Sequence, residues 1–149
     1  MKNGDRHART PSAEIFTALI LETFRFNGQL LAAGNRLTQE FGLTSALWQV
    51  LGAIDEKPLP VAQIARNMGL TRQSVRRSAH LLKDKGFVDF QENPHHRRAK
   101  LVALTIPGRD ALGQIRAIQT DWANAVADGI SVQQLKSAVN TIMLLSSRL

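Results

Sequence analysis

The chain has 149 residues, which suits one domain of ordinary size or one compact domain with an added oligomerisation element. Apolar residues make up 44% of it, as is usual in soluble globular proteins. It has no cysteine, which excludes disulfide bonds, cysteine-ligated metals and thiol redox sensing. No apolar stretch is long enough to span a membrane, and none follows the basic N-terminal residues as it would in a secretory signal. We therefore expect a cytoplasmic protein without a membrane partner.

Positive charge is concentrated in a short part of the chain. The formal net charge is +7, from 19 basic and 12 acidic side chains. Residues 66–100 carry nine of the basic and three of the acidic side chains. The basic ones are Arg66, Arg72, Arg76, Arg77, Lys83, Lys85, Arg97, Arg98 and Lys100. This asymmetry favours a polyanionic partner that presents phosphate groups.

The first predicted helix is apolar over much of its surface. Residues 1–10 are predicted to form a flexible tail that ends at Thr10, which can cap a helix starting with Pro11. The helix's apolar side chains cover about 180° of its circumference, whereas a surface helix needs only about 100°. They are Ile15, Phe16, Leu19, Ile20, Phe24, Phe26, Leu30, Leu31 and Leu37. The excess predicts one neighbour within the subunit and one outside it; the alternative is a helix buried deeply in a single core.

The middle of the chain predicts a helix-turn-helix. Thr44 can cap a second helix, which ends before the proline-containing stretch 57–60. A short helix is predicted from Val61 to about Met68, with Gly69 in the turn that follows it. Thr71 can cap a further helix that continues to about residue 85. A short helix, a glycine-containing turn and a second helix form the pattern found in many DNA-binding proteins.

The helix after Thr71 separates an apolar face from a basic one. Val75, Ser78 and Leu82 are predicted to pack inward, since they share one side of the helix. The opposite side carries Arg72, Gln73, Arg76, Arg77, His80 and Lys83. Arginine bonds guanine and glutamine bonds adenine in the DNA major groove, and both also bind phosphate. The alternative is a basic helix that is merely solvated.

Among these side chains we distinguish two roles. Gln73 and Arg76 are the candidates for base contacts, whereas Arg72 and Arg77 are equally suited to the phosphate backbone. Thr71 lies at the helix N-terminus, where the backbone N–H groups favour an anion.

A hairpin and two helices are predicted to follow. Residues 87–91 and 100–104 read as strands, and the loop between them is longer than most hairpin loops. Arg98, near the tip of this loop, is suited to enter a narrow minor groove of DNA. The alternative is that Arg97 and Arg98 both contact phosphates. The His95–His96 pair lacks nearby carboxylates, so we predict no metal and no cofactor. A long helix then opens after Thr105, and a Ser131–Gln134 capping box starts the last one.

The motifs between about residues 43 and 108 resemble the MarR family of bacterial transcriptional regulators. They are Leu43-Thr44, Trp48-Gln49-Val50-Leu51, Ile64-Ala65, Gly69-Leu70-Thr71, Leu82 with Gly86-Phe87-Val88, and Arg98 with Leu104-Thr105 and Gly108. The resemblance implies a mainly α fold with a small β-hairpin wing: a winged helix-turn-helix with N- and C-terminal dimerisation helices. It implies that 39–105 bind double-stranded DNA, whereas 11–38 pair with 106–149 to form a homodimer.

The chain departs from the family pattern at one position of the hairpin. His96 stands where the family usually has an aspartate that can pair with a neighbouring arginine. The resemblance also implies that a small, often aromatic, effector releases the DNA. Phe24, Trp48 and His80 are the candidates to line its pocket, the alternative for each being an ordinary core or surface position.

We therefore expect a sequence-specific regulator, a repressor, that binds a pseudo-palindromic operator. The alternatives are an architectural DNA-binding protein without sequence preference and a winged-helix module for protein contacts. No catalytic constellation is evident, so we do not expect an enzyme. The expected DNA-binding residues are Thr71, Arg72, Gln73, Ser74, Arg76, Arg77, His80, Lys83, His96, Arg97 and Arg98.

Overall fold

The computed structural model describes residues 8–149 as mostly helical with one small sheet. The tail predicted over residues 1–10 falls mainly on residues 1–7, which lie outside the described residues. The elements are α1 (Pro11–Thr38), a 3-10 turn (Gln39–Phe41), α2 (Ser45–Ala53), β1 (Leu59–Pro60), α3 (Val61–Met68), α4 (Arg72–Asp84), β2 (Val88–Gln91), β3 (Leu101–Leu104), α5 (Ile106–Ala127) and α6 (Val132–Ser146). The mainly helical architecture with a hairpin after α4 confirms the predicted fold class.

The chain divides into two compact units, one ending at Gly113 and the other running from Gln114 to Leu149. The first holds the elements from α1 to β3 and the start of α5, and the second holds the rest of α5 and α6. None of the helices described in the structure is both long and apolar enough to cross a bilayer.

The predicted helix starts are confirmed by their hydrogen bonds. The hydroxyl oxygens of Thr10, Thr44 and Thr71 each accept a backbone N–H of the first helical turn, and so satisfy a donor that the helix cannot. Ser131 and Gln134 form the predicted capping box, with each side chain bonded to the other's backbone N–H. Gly69 has a φ of 62° after α3, a conformation that glycine adopts without strain.

The core of the first unit lies where α2, α3 and α4 meet the sheet. Its fully buried side chains include Val50, Leu51, Ile54, Ile64, Val75, Ala79, Leu82, Val88 and Val102. On α4 the inward stripe is Val75, Ala79 and Leu82, whereas Ser78 is only half-buried. The prediction that Ser78 shares the inward face is thus corrected, because the i, i+4 and i+7 positions centre the stripe on Ala79.

The sheet has the strand order β1, β3, β2, with both pairs antiparallel. Val88 to Gln91 of β2 lie opposite Leu104 to Leu101 of β3, so the predicted hairpin is confirmed. The proline-containing stretch 57–60, where only a break between helices was predicted, contains a further strand. Its residues Leu59 and Pro60 pair with Val102 and Leu101. A proline is tolerated in this strand because β1 lies at the edge of the sheet.

The start of α5 is held closely against the residue that precedes β2. A Cβ atom at Gly108 would lie 1.9 Å from the Phe87 carbonyl oxygen, so only glycine fits there. The Thr105 hydroxyl donates to the Gly86 carbonyl at 2.6 Å and accepts the Gly108 N–H at 3.1 Å. The turn before β2 and the first turn of α5 are therefore fixed to each other.

Candidate nucleic-acid interface

The N-terminus of α4 is exposed and already arranged around two hydroxyl groups. The Thr71 hydroxyl oxygen accepts the Ser74 N–H at 3.1 Å, and the Ser74 hydroxyl donates to the Thr71 carbonyl at 2.9 Å. This leaves the Thr71 hydroxyl hydrogen free to be donated, and the Ser74 oxygen free to accept. Both residues lie beside the free N–H groups of the first turn, where an anion is stabilised.

The three arginines on the outer face of α4 have no internal partners in the described part of the chain. Arg72, Gln73, Arg76 and Arg77 are all exposed, as predicted from the helical projection. Across residues 8–149 none of the three guanidinium groups forms an ion pair or a side-chain hydrogen bond. Their charge is therefore available to an external ligand, while the buried stripe on the other side of α4 fixes the helix backbone.

The far end of α4 is tied to strand β2. The Lys83 ammonium donates to the Asp89 carboxylate at 2.7 Å and lies 5.4 Å from the centre of the Phe90 ring. The His80 ring also contacts Phe90, with 5.1 Å between the ring centres. The bond from Lys83 and the backbone N–H of Phe90 hold the pKa of the Asp89 carboxyl below its ordinary value. Much of the charge of Lys83 is thus already balanced within the protein.

The wing loop, residues 92–100, carries the remaining predicted contacts. His96, Arg97 and Arg98 are exposed, and no ion pair involves them in the described part of the chain. Lys100 faces Glu92 at 3.8 Å across the base of this loop. The backbone of the loop and not a side-chain ion pair therefore determines where Arg97 and Arg98 lie.

A groove of about 870 Å³ separates α4 from the wing loop, and we call it the basic groove. It is lined by Pro60, Val61, Ala62, Gln63, Arg66, Arg72, Arg76, His80, Lys83, Phe90, Asn93, His96, Arg98, Ala99 and Lys100. Six of these side chains are cationic and two are histidines, while no aspartate or glutamate is among the described lining residues. Such a concave, acid-free surface concentrates positive potential.

The basic groove brings together about half of the residues predicted from the sequence. Those that line it are Arg72, Arg76, His80, Lys83, His96 and Arg98. Those that are exposed but do not line it are Thr71, Gln73, Ser74, Arg77 and Arg97.

Four polar groove residues were not singled out from the sequence. Arg66 and Lys100 belong to the basic segment, so the charge count was a usable signal for both. Gln63 accepts from Arg66 at 2.9 Å and donates to Asn67 at 2.7 Å, which orders the exposed face of α3. Asn93 gave no signal in the sequence, because its position depends on how the wing loop folds.

The three residues suggested for an effector pocket lie in different surroundings. Phe24 is 69% exposed on α1, Trp48 is half-buried on α2, and His80 lies against Phe90. The basic groove includes His80 but neither Phe24 nor Trp48. No group of three metal-ligating side chains occurs within residues 8–149.

Comparison with known sequences identifies relatives over most of the chain. The model of the MarR family matches residues 41–99, which span the helix-turn-helix and most of the wing loop. An uncharacterised protein of Mycobacterium tuberculosis is 34% identical over 126 residues, covering 83% of this chain and 87% of that protein. The HTH-type transcriptional regulator TcaR of Staphylococcus aureus is 25% identical over 134 residues, covering 87% of this chain and 88% of TcaR.

Solved structures of similar fold include the transcriptional regulator BldR. BldR from Sulfolobus solfataricus has a TM-score of 0.78 at 22% identity, with coverage of 95% of this chain and 100% of BldR. CouR from Rhodococcus jostii, solved with p-coumaroyl-CoA, has a TM-score of 0.76 at 24% identity, with coverage of 93% and 95%. Both structures are less than 25% identical to this chain, and they establish its fold. The chain belongs to the MarR family and is a DNA-binding transcriptional regulator with a winged helix-turn-helix.

Proposed function

We propose that this protein is a sequence-specific repressor that binds a pseudo-palindromic operator as a homodimer. The observation that carries the proposal is the row of unpaired cationic and amide side chains on α4, beside an acid-free groove that ends at the wing loop. An exposed helix backed by a buried stripe fits the major groove, and an adjacent hairpin is in position to reach a neighbouring groove.

Base contacts are assigned to the outer face of α4. Gln73 and Arg76 lie within its first turns and have the bidentate geometry that adenine and guanine accept. Arg72 and Arg77, with the hydroxyls of Thr71 and Ser74, are assigned to the phosphate backbone. The free donors at the start of α4 support the assignment of Thr71.

The rest of the basic groove is assigned to phosphates and to the minor groove. Arg66 extends the cationic lining onto α3, which suits it to the DNA backbone. Arg98 from the wing loop enters a narrow minor groove, with Arg97 and His96 on its flanking phosphates. Lys83 and Lys100 contribute less, because each already faces a carboxylate within 4 Å, Asp89 at 2.7 Å and Glu92 at 3.8 Å.

Homodimerisation is assigned to the helices outside residues 39–105, namely 11–38 and 106–149. On α1 the apolar side chains of Leu21, Phe24 and Phe26 are more than half exposed in the single chain. In the second unit, α6 leaves Val139 and Ile142 more than half exposed. Soluble monomers rarely expose large contiguous apolar surfaces, so both helices call for a covering partner. We assign that partner to a second copy of this chain.

The dimer is tested by mass in solution. Ile142→Asp places a charge on the apolar face of α6 and is expected to convert a dimer into a folded monomer with weakened DNA binding. Asn140→Asp, at an exposed polar position of the same helix, is the control that adds the same single negative charge. A wild-type chain that remains a well-folded monomer at micromolar concentration contradicts the assignment.

Effector release is a further part of the proposal. It is supported by the resemblance to CouR, whose structure was solved with p-coumaroyl-CoA, and by the family pattern. We assign a small aromatic molecule as the effector and Phe24, Trp48 and His80 as the residues to test. Aromatic acids and their thioesters are titrated against the protein–DNA complex, and release without any loss of dimer is the supporting outcome. Substitution of Trp48 by alanine should then lower the response and leave DNA affinity intact, whereas Phe24→Ala is read together with the dimer mass, because Phe24 is also assigned to the dimer face.

The DNA-binding proposal is tested by selecting fragments of the source genome. A specific regulator is expected to enrich one or a few sites with two half-sites about 10 bp apart centre to centre. The affinity of the protein for these sites should exceed its affinity for random duplexes by at least about a thousandfold. Equal affinity for selected and random DNA would instead support an architectural protein. Transcription in vitro from a promoter that overlaps the selected site then distinguishes repression from activation.

A further inference from the structure

The wing loop is folded by two backbone hydrogen bonds. The N–H of His96 donates to the carbonyl of Asn93 at 3.2 Å, and the N–H of Ala99 donates to the carbonyl of His96 at 3.0 Å. Two successive turns thus connect β2 to β3, and Arg97 and Arg98 occupy the second of them. The position of both guanidinium groups depends on how these turns are held.

One side chain joins the two sides of this loop. The amide nitrogen of Asn93 donates to the carbonyl of Ala99 at 2.9 Å, and the amide oxygen of Asn93 accepts the N–H of His95 at 3.0 Å. Asparagine can do this because its amide carries a donor and an acceptor at the same time. The Asn93 side chain is half-buried and lines the basic groove, so it lies between the loop and the DNA-facing surface.

No comparable contact holds the tip elsewhere in the part of the chain that the structure describes. The side chains of His95, His96, Arg97 and Arg98 form neither hydrogen bonds nor ion pairs within residues 8–149. The Glu92–Lys100 pair is at the base of the loop, is largely exposed and measures 3.8 Å. A pair of this kind contributes little to the geometry of the tip.

We propose that Asn93 is a positioning residue for DNA binding, which fixes the wing loop so that Arg98 meets the DNA. The proposal rests on the proposed function, since it concerns how one of the assigned contacts is oriented. Asn93 acts through Arg98, and its removal lets the loop sample conformations in which the guanidinium does not reach its groove. The affinity for DNA falls as a result, because the loop loses conformational entropy when the complex forms.

The test is a double-mutant cycle on the selected operator with Asn93→Ala and Arg98→Ala. We expect Asn93→Ala to weaken binding about fivefold to tenfold in the wild-type background, the effect of one or two lost hydrogen bonds. In the Arg98→Ala background the same change should cost less than about twofold, because the contact that it positions is already absent. Independent losses that multiply in the double variant overturn the proposal.

A footprint supplies the readout that a general loss of folding would not produce. Asn93→Ala should lose hydroxyl-radical protection of the minor groove at the wing, while protection of guanine N7 in the major groove at α4 persists. His95→Ala is the matched control, since it removes a side chain from the same loop but keeps the N–H that bonds Asn93. Uniform loss of both protections in Asn93→Ala counts against a positioning role.

A second variant guards against misfolding of the first. Asn93→Leu keeps nearly the same side-chain size and adds no charge to the basic groove, but it has neither the donor for the Ala99 carbonyl nor the acceptor for the His95 N–H. It should show the same dependence on Arg98, and a loss that remains in the Arg98→Ala background refutes the role of these two bonds. If wild-type protein does not distinguish selected from random DNA, the proposed function itself fails, whatever the Asn93 variants do.

Discussion

Helix α4 and the wing loop both present arginines outward, yet they are supported in different ways. Behind α4 lies a stripe of fully buried side chains, Val75, Ala79 and Leu82. Behind the wing loop there is no such stripe among the described residues, and a single half-buried asparagine joins its two sides. Apolar packing thus fixes the surface assigned to bases, whereas a few polar contacts fix the surface assigned to the adjoining groove.

This difference predicts how changes in the two regions will act. Damage to the support of α4 should cost stability first and binding as a consequence. Damage to the support of the wing loop should cost affinity while leaving the free energy of unfolding nearly unchanged. The following changes test that separation.

The largest effect is expected inside the support of α4. Leu82→Ala removes a side chain that is fully buried and should lower the free energy of unfolding by about 2–5 kcal/mol. Leu81→Ala, on the neighbouring residue that is 44% exposed, should cost less than about 1 kcal/mol. Chemical denaturation of the two variants measures both values. Similar losses from the two variants would contradict the burial pattern of α4.

The next effect is expected on the outer face of the same helix. Arg76→Ala should weaken operator binding by about 1–3 kcal/mol and relax preference for one base pair, with no change in the unfolding midpoint. The control is Lys57→Ala, which removes an equal charge from an exposed position outside both the basic groove and the helices assigned to the dimer. Binding to a panel of single-base operator variants measures the preference. Equal weakening of binding to every operator variant would indicate that Arg76 contacts phosphates and not a base.

A smaller effect is expected at the tip of the wing loop. Arg98→Ala should weaken binding about tenfold, at least as much as Asn93→Ala, which acts through it, and, where Arg98 holds a phosphate, reduce the salt slope by about one unit. Where it occupies the minor groove, the loss should depend on the A·T content of the flanking sequence. Affinity titrations over a range of salt concentrations on two flanking sequences distinguish these cases. Unchanged affinity and slope would remove Arg98 from the interface.

The smallest effect is expected where β2 meets α4. Since the pKa of Asp89 is lowered in the folded protein, its ion pair with Lys83 stabilises the fold at pH above the ordinary carboxyl value. That contribution is lost as the pH falls through the lowered pKa. Asp89→Asn should therefore be slightly less stable than wild type at neutral pH, and the difference should vanish in acid. Thermal unfolding of both proteins from pH 7 to pH 2 measures it, and a difference that grows in acid would contradict the lowered pKa.

Local signals in the sequence predicted most of the fold. Capping residues such as Thr71 and Ser131 mark helix starts through bonds to the next few residues, and those bonds are present. Strand β1 was missed because two residues show no periodicity and because their partners in β3 lie about forty positions further along the chain. Pairing at that separation is decided by the packed core and leaves no local pattern.

The candidate site was predictable only as far as charge and helical projection reach. The exposed row on α4, from Arg72 to Arg77, follows from helical spacing and is therefore predictable from the sequence. Asn93 could not, because an asparagine in a polar loop is unremarkable until the loop is folded around it. His96 contributes backbone bonds to Asn93 and Ala99, and the Asn93 amide bonds the carbonyl of Ala99 and the N–H of His95.

The lack of carboxylates around the basic groove also bears on how the protein behaves when it is alone. Six cationic side chains in one concavity attract small anions and any stray polynucleotide that is present at low ionic strength. Phosphate or sulfate in a buffer will compete for the same space, and fragments of host DNA will co-purify unless salt is high. Apparent affinities for this protein therefore have meaning only when the buffer anion and the absorbance ratio of the preparation are stated.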